Sequence, residues 1–121
     1  MLETAMKAAD DALATDIVAL DVRELTPFAD NFLIITVDNP RHMRATINAI
    51  TKALKDETGR FPEATEGDGD SDWALIDFDG LMIHLFLPEA RTFYALEKLW
   101  GDAPRIEFTP SQFGSAGTSQ V

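Results

Sequence analysis

The sequence predicts a single α/β domain, a mixed sheet of about five strands flanked by helices. Three observations predict it. Short β-branched apolar runs alternate with segments of helical period. A two-residue Asp79-Gly80 turn separates two further apolar runs. The length, 121 residues, is that of one domain able to bury its own core.

Leu2, Met6, Ala9 and Leu13 follow the spacing of one helical face, so a first helix is expected over roughly residues 2–14, with Thr15 and Asp16 breaking it. Residues 17–22 (IVALDV) and 32–37 (FLIITV) are nearly all apolar and suit strands buried on both faces. Between them, Thr26 and Pro27 open a loop. Asn39-Pro40 announces a second helix, with Asn as the cap and Pro at the first helical position. Met43, Ile47, Ile50 and Leu54 line its inner face, Arg44, Thr51, Lys52 and Lys55 its outer face, and Gly59 stops it. Residues 63–65 are expected to form a short strand. Residues 73–78 and 81–86 form a hairpin. Pro88 begins a last helix with Ala90, Phe93, Leu96 and Trp100 near one face, ended by Gly101 and Pro104. The domain is expected over residues 1–108. Residues 109–121, uncharged and rich in Ser, Gly and Thr, read as a disordered tail.

Composition narrows the function. Apolar residues are 45% and charged residues 26%, a globular balance. Cysteine is absent, which excludes disulfides, thiolate metal sites and cysteine catalysis, and fits a reducing cytoplasm. No apolar run reaches the ~20 residues of a membrane span, and the first residues lack the pattern of a signal peptide. The net charge of −11 repels phosphate at long range, so a basic protein is the expected partner, with little direct nucleic-acid contact outside any local basic patch.

The hairpin carries the most information. A two-residue turn sets Phe78 opposite Leu81, Ile76 opposite Ile83 and Trp73 opposite Phe86. One face then holds Ala74, Ile76, Phe78, Leu81, Ile83 and Leu85, wholly apolar and expected in the core. The other holds Trp73, Leu75, Asp77, Met82, His84 and Phe86. Two arrangements fit that mixed face. In one a helix covers it and Asp77 and His84 are a satisfied polar pair; in the other part of it is a protein-binding patch, since Trp, Met and Phe favour interface centres.

Catalytic and metal readings fail on spacing. Asp68, Asp70 and Asp72 alternate like the start of a calcium loop, but the sixth position is Trp73 and the twelfth Asp79. Residues 56–72 hold seven acids and one base, a solvated run able to steer a basic partner. Asp77 and Asp79 form the acid pair of a nucleotidyltransferase, but the phosphate-binding Gly-Ser turn is replaced by Val37-Asp38-Asn39-Pro40, and Asp79 suits a tight turn. His42 and His84 lack further ligands at metal spacing and read as structural. No cofactor motif occurs.

A set of segments resembles the ribosomal silencing factor family, also called Iojap-like. They are Leu20-Asp21-Val22, Phe28-Ala29-Asp30, Phe32-Leu33-Ile34-Ile35, Arg41-His42, Glu66-Gly67, Trp73-Ala74-Leu75-Ile76-Asp77, His84-Leu85-Phe86 and the run over residues 89–104 (EARTFYALEKLWGDAP). Where the family has a Gly-Thr-Ser-Ser type turn before Arg-His, this chain has Val37-Asp38-Asn39-Pro40. Where the family often has Tyr-Gly-Asp at the hairpin, this chain has Phe78-Asp79-Gly80. The resemblance implies a nucleotidyltransferase-like topology without the catalytic motif, a cytoplasmic non-enzyme with no cofactor, and docking on the large ribosomal subunit through large-subunit ribosomal protein fourteen. It implies a block to subunit joining when nutrients are scarce, homodimers of the free protein, and relatives linked to ribosome assembly. On this basis the partner surface is expected to be Trp73, Leu75, Asp77, Met82, His84 and Phe86, extended by Arg91, Tyr94 and Glu97. Trp73 stands at its centre. Tyr94 fits a core position equally well, and Trp100 is expected in the core.

Overall fold

The longest helix, α2 (Pro40–Thr58), starts and stops on local chemistry. The Asn39 side chain accepts the His42 amide at 2.8 Å, Pro40 occupies the first turn, and Gly59 closes the helix at φ +75°. His42 adds a long-range tie. Its Nδ1 accepts the Asp38 amide at 2.9 Å, so the ring proton lies on Nε2, which donates to the Ala12 carbonyl at 2.7 Å. That bond joins the start of α2 to the end of α1 (Leu2–Asp11). The structure, a computed structural model, describes residues 1–67 and 71–106. The tail expected over residues 109–121, and Asp68 and Asp70 of the acidic run, lie outside the described residues.

Six strands form one mixed sheet: β1 (Thr15–Asp21), β2 (Asn31–Thr36), β3 (Ala64–Glu66), β4 (Trp73–Phe78), β5 (Leu81–Phe86) and β6 (Arg105–Ile106), in the order β3-β4-β5-β2-β1-β6. β2 and β5 are parallel and the other pairs antiparallel. The hairpin register is the one the turn dictates, from Phe78 opposite Leu81 to Trp73 opposite Phe86. Asp79 and Gly80 take φ +51° and +93°, the left-handed pair such a turn requires.

Side-chain alternation sends two apolar sets to opposite faces. Leu33, Ile35, Ala74, Ile76, Phe78, Leu81, Ile83 and Leu85 pack under α1 and α2 against Met6, Ala9, Met43, Ile50 and Leu54. Leu20, Val22, Phe32, Ile34 and Phe86 pack on the other side under the C-terminal segment, against Ala90, Leu96 and Ala103. Each buried Leu, Ile or Phe contributes about 1.5–3 kcal/mol.

Four boundaries differ from the sequence expectation. The first helix ends at Asp11, because Leu13 turns left-handed at φ +68°. β1 begins earlier, since Thr15 pairs with Thr36 across a bulge at Asp16, φ +48°. The last helix is two pieces, α3 (Pro88–Tyr94) and α4 (Leu96–Leu99), broken where Ala95 takes φ +48°. A sixth strand exists because the chain after Pro104 returns to β1, where the Asp21 amide donates to the Pro104 carbonyl at 2.8 Å.

Candidate partner-binding surface

The mixed hairpin face is covered on one part and left partly open on another. The α3–α4 segment covers Phe86, fully buried, and His84, 5% exposed. Trp73, Leu75, Asp77 and Met82 stay half-buried. Phe86 therefore supports the surface from beneath. Trp73 lies on it, 5.1 Å from the Phe86 ring and 4.6 Å from that of Tyr94. Tyr94 also meets Phe86 at 5.9 Å while remaining 40% exposed, so its core and surface roles coexist. Trp100 is half-buried against Phe32, ring centroids 5.0 Å apart.

His84 fixes the polar edge of Trp73. The indole Nε1–H donates to His84 Nδ1 at 3.3 Å. Nδ1 must therefore be unprotonated, and the ring proton of the neutral imidazole lies on Nε2. Nε2 is buried with no hydrogen-bond partner among the described residues, and the His84 ring meets Phe32 edge-on with centroids 5.0 Å apart. Burial pushes the His84 pKa down to about 4, which keeps the ring neutral and the Trp73 bond in place. Asp77 does not form the polar pair with His84 that one arrangement anticipated; the partner of His84 is Trp73.

Arg91 and Glu97 turn inward. Arg91 Nε donates to Glu97 Oε2 at 2.7 Å and Nη1 to Thr36 Oγ1 at 2.8 Å, with both charged side chains largely buried. The pair spans the Ala95 kink and ties it to the end of β2. Phe93, within α3, and Leu99, within α4, point outward, 81% and 74% exposed. Sequence reasoning placed Phe93 on the buried helix face and did not single out Leu99. The adjacent pair Phe93-Tyr94 was the available signal, since two successive bulky rings cannot share one face of a helix.

Trp73, Tyr94 and Phe93 thus form a contiguous aromatic patch of a kind that marks interaction sites. Acids flank it. Asp38, Asp72 and Glu89 line a cleft of about 420 Å³ with Leu87, Pro88 and Ala90 at the start of α3. Asp79 is taken up by the hairpin turn and by an ion pair with Arg60 at 3.0 Å. Among the described residues no group of three or more His, Asp or Glu side chains is arranged to hold a metal ion, and no helix is long and apolar enough to cross a membrane.

The chain is an acidic α/β domain that carries an aromatic patch with acids beside it. Residues 1–120 match the family described as "Ribosomal silencing factor during starvation", and the chain belongs to that family. It is 38% identical over 104 residues to the ribosomal silencing factor of Bacillus subtilis, covering 86% of this chain and 87% of that protein. It is 36% identical over 89 residues to the mouse protein named "Mitochondrial assembly of ribosomal large subunit protein 1", covering 72% of this chain and 39% of that one. A crystal structure of a protein from Chromobacterium violaceum superimposes with a TM-score of 0.78 at 28% identity, covering 94% of this chain and 95% of that chain.

Proposed function

We propose that this protein docks on the large ribosomal subunit in the cytoplasm through large-subunit ribosomal protein fourteen, and that its bulk there keeps the small subunit from joining. Translation falls as a result when nutrients are scarce. The observation that carries the reading is the Trp73–Tyr94–Phe93 patch beside the Asp38/Asp72/Glu89 cleft, in a chain of net charge −11. An aromatic centre with an acidic rim suits a basic protein partner better than bare RNA. Asp77, Met82 and Leu75 extend the contact along the hairpin. His84, Phe86, Arg91 and Glu97 hold the contacting side chains in place. The protein acts by binding, without catalysis.

The test is co-sedimentation with separated subunits. Wild type is expected with the large subunit only, and Trp73→Ala is expected to lose about thirty- to thousand-fold in affinity. Phe93→Ala is the companion variant, because so exposed a side chain can be removed without disturbing the fold. Binding that survives both substitutions moves the site elsewhere. No binding to either subunit refutes the function.

A second reading is favoured by one specific finding, the relative named for assembly of the mitochondrial large subunit. In it the same docking surface serves maturation of the large subunit. Depletion separates the two, since an assembly role leaves precursor particles and a silencing role does not.

A further inference from the structure

Arg41 and Arg44 are left over from everything described above. Arg41 belongs to the Arg41-His42 segment, of which only His42 has a structural role. Both arginines are exposed on the first two turns of α2, and neither forms an ion pair among the described residues. That is unusual in a chain of 21 acids and 10 bases. It also runs against local electrostatics, because the positive end of the helix dipole disfavours cations and no acid occupies the first turn. Their position therefore costs stability within the chain.

Their surroundings narrow what they meet. Residues 40–55 carry four bases and no acid, so the rest of the chain holds all the negative charge. Lys52 is engaged with Asp56, and Lys55 with the Gly59 carbonyl and the Phe61 ring. Arg41 and Arg44 remain, one turn apart on the same side of the helix, with Cβ atoms about 5–6 Å apart. Ala45 and Asn48 beside them are exposed and small, so the face has no large apolar group to insert into a lipid surface. The pair also sits at a telling end of the sheet. Trp73, Phe86 and Thr36 form one row across β4, β5 and β2, and α2 starts four residues past Thr36. The arginines thus flank the same end of the sheet as the aromatic patch.

We infer that Arg41 and Arg44 form a second contact, to the RNA phosphate backbone of the large subunit, made when the aromatic patch docks on its protein. This rests on the proposed function. It assigns the two kinds of partner to two regions at one end of the sheet, on its opposite faces: the acidic, aromatic region takes the basic protein, and the arginine pair takes phosphate. Because the whole chain repels polyanions, the pair binds RNA only when docking brings the two together.

The experiment measures affinity for purified large subunits and for the isolated ribosomal protein over a range of salt, using full-length wild type and Arg41→Ala/Arg44→Ala. The double variant is expected to bind the large subunit about tenfold more weakly, with the slope of log affinity against log salt reduced by roughly 1.5, and to bind the isolated protein as wild type does. Its melting temperature should be unchanged or higher, since two unfavourably placed cations are gone. Unchanged subunit affinity and slope overturn the inference and leave the proposed function standing. Equal losses toward the isolated protein also overturn it, because the arginines would then face protein. Failure of wild type to bind large subunits removes the proposed function and this inference together.

Discussion

His84 makes the stability of this protein sensitive to mild acid in a way that can be isolated. The folded imidazole has a pKa of about 4 because burial opposes its charge; the unfolded ring has the ordinary value of 6.5. Between those values the unfolded state binds the proton and the folded state does not. Stability from this group is therefore complete above 6.5, falls as pH drops toward 4, and changes no further below it. The full difference is about 3 kcal/mol, and most of it is lost between neutrality and roughly pH 4.5. Other groups titrate too. The hydrogen bond from Arg23 holds Asp21, and that from Thr4 holds Glu57, below their usual carboxylate values, so both also favour the folded state less in acid. His84→Phe isolates the histidine, because those carboxylates are common to both proteins. Urea unfolding at the two pH values should show wild type losing about 2–3 kcal/mol more than His84→Phe. Equal losses in the two proteins, or a His84 ring titrating near 6.5 by NMR, would refute the argument that burial keeps this ring neutral.

Arg91→Met should destabilise the fold by about 1.5–3 kcal/mol in chemical denaturation, because it strands Glu97 and Thr36 beside an unbraced kink. Arg91→Lys should recover little of it, since one ammonium cannot reproduce the fork that reaches both acceptors; full recovery would argue against the brace. Gly80→Ala should cost about 1–2 kcal/mol, because Gly80 holds a φ of +93° that a Cβ disfavours, while the nearby Asp30 carboxylate can swing aside; a neutral thermal shift would contradict a left-handed backbone at this turn. If exposed Phe93 and Leu99 also pair two copies of the free protein, dilution should raise the apparent affinity for the large subunit; a constant affinity across the monomer–dimer range in ultracentrifugation would exclude competition at that surface.

What the sequence could disclose followed from how local each feature is. The hairpin register was legible because a two-residue turn leaves the strands no other pairing. The bounds of α2 were legible because Asn39, Pro40 and Gly59 each satisfy a specific backbone need. The break at Ala95 was not, since alanine favours continuing a helix and its left-handed conformation is imposed by the Arg91–Glu97–Thr36 brace. The two residues of β6 are too few to carry a period. In the candidate surface, Trp73 and Tyr94 were readable as amphipathic aromatics, whereas the covering of Phe86 and His84 depended on where a kinked segment lies. The same segment leaves Phe93 and Leu99 exposed and makes an internal pair of two charges expected at the surface.

The two faces of the sheet follow different physical rules, and the difference bears on the proposed role. Under α1 and α2 the packing is apolar side chain on apolar side chain. Under α3 and α4 the chain holds three features that each cost stability: a left-handed alanine, a buried Arg–Glu pair and a histidine nitrogen with no partner. All three lie beneath or beside Trp73 and Tyr94. A face selected for stability alone would replace His84 with an aliphatic residue and straighten the last helix. Straightening it would break the Arg91–Glu97 brace beside Tyr94, and losing His84 would free the Trp73 indole. Side chains already fixed in place lose less freedom on binding, so a patch braced in this way binds more tightly than the same residues on a mobile loop. The first core supplies stability that these three features give up, and all three brace the proposed docking surface.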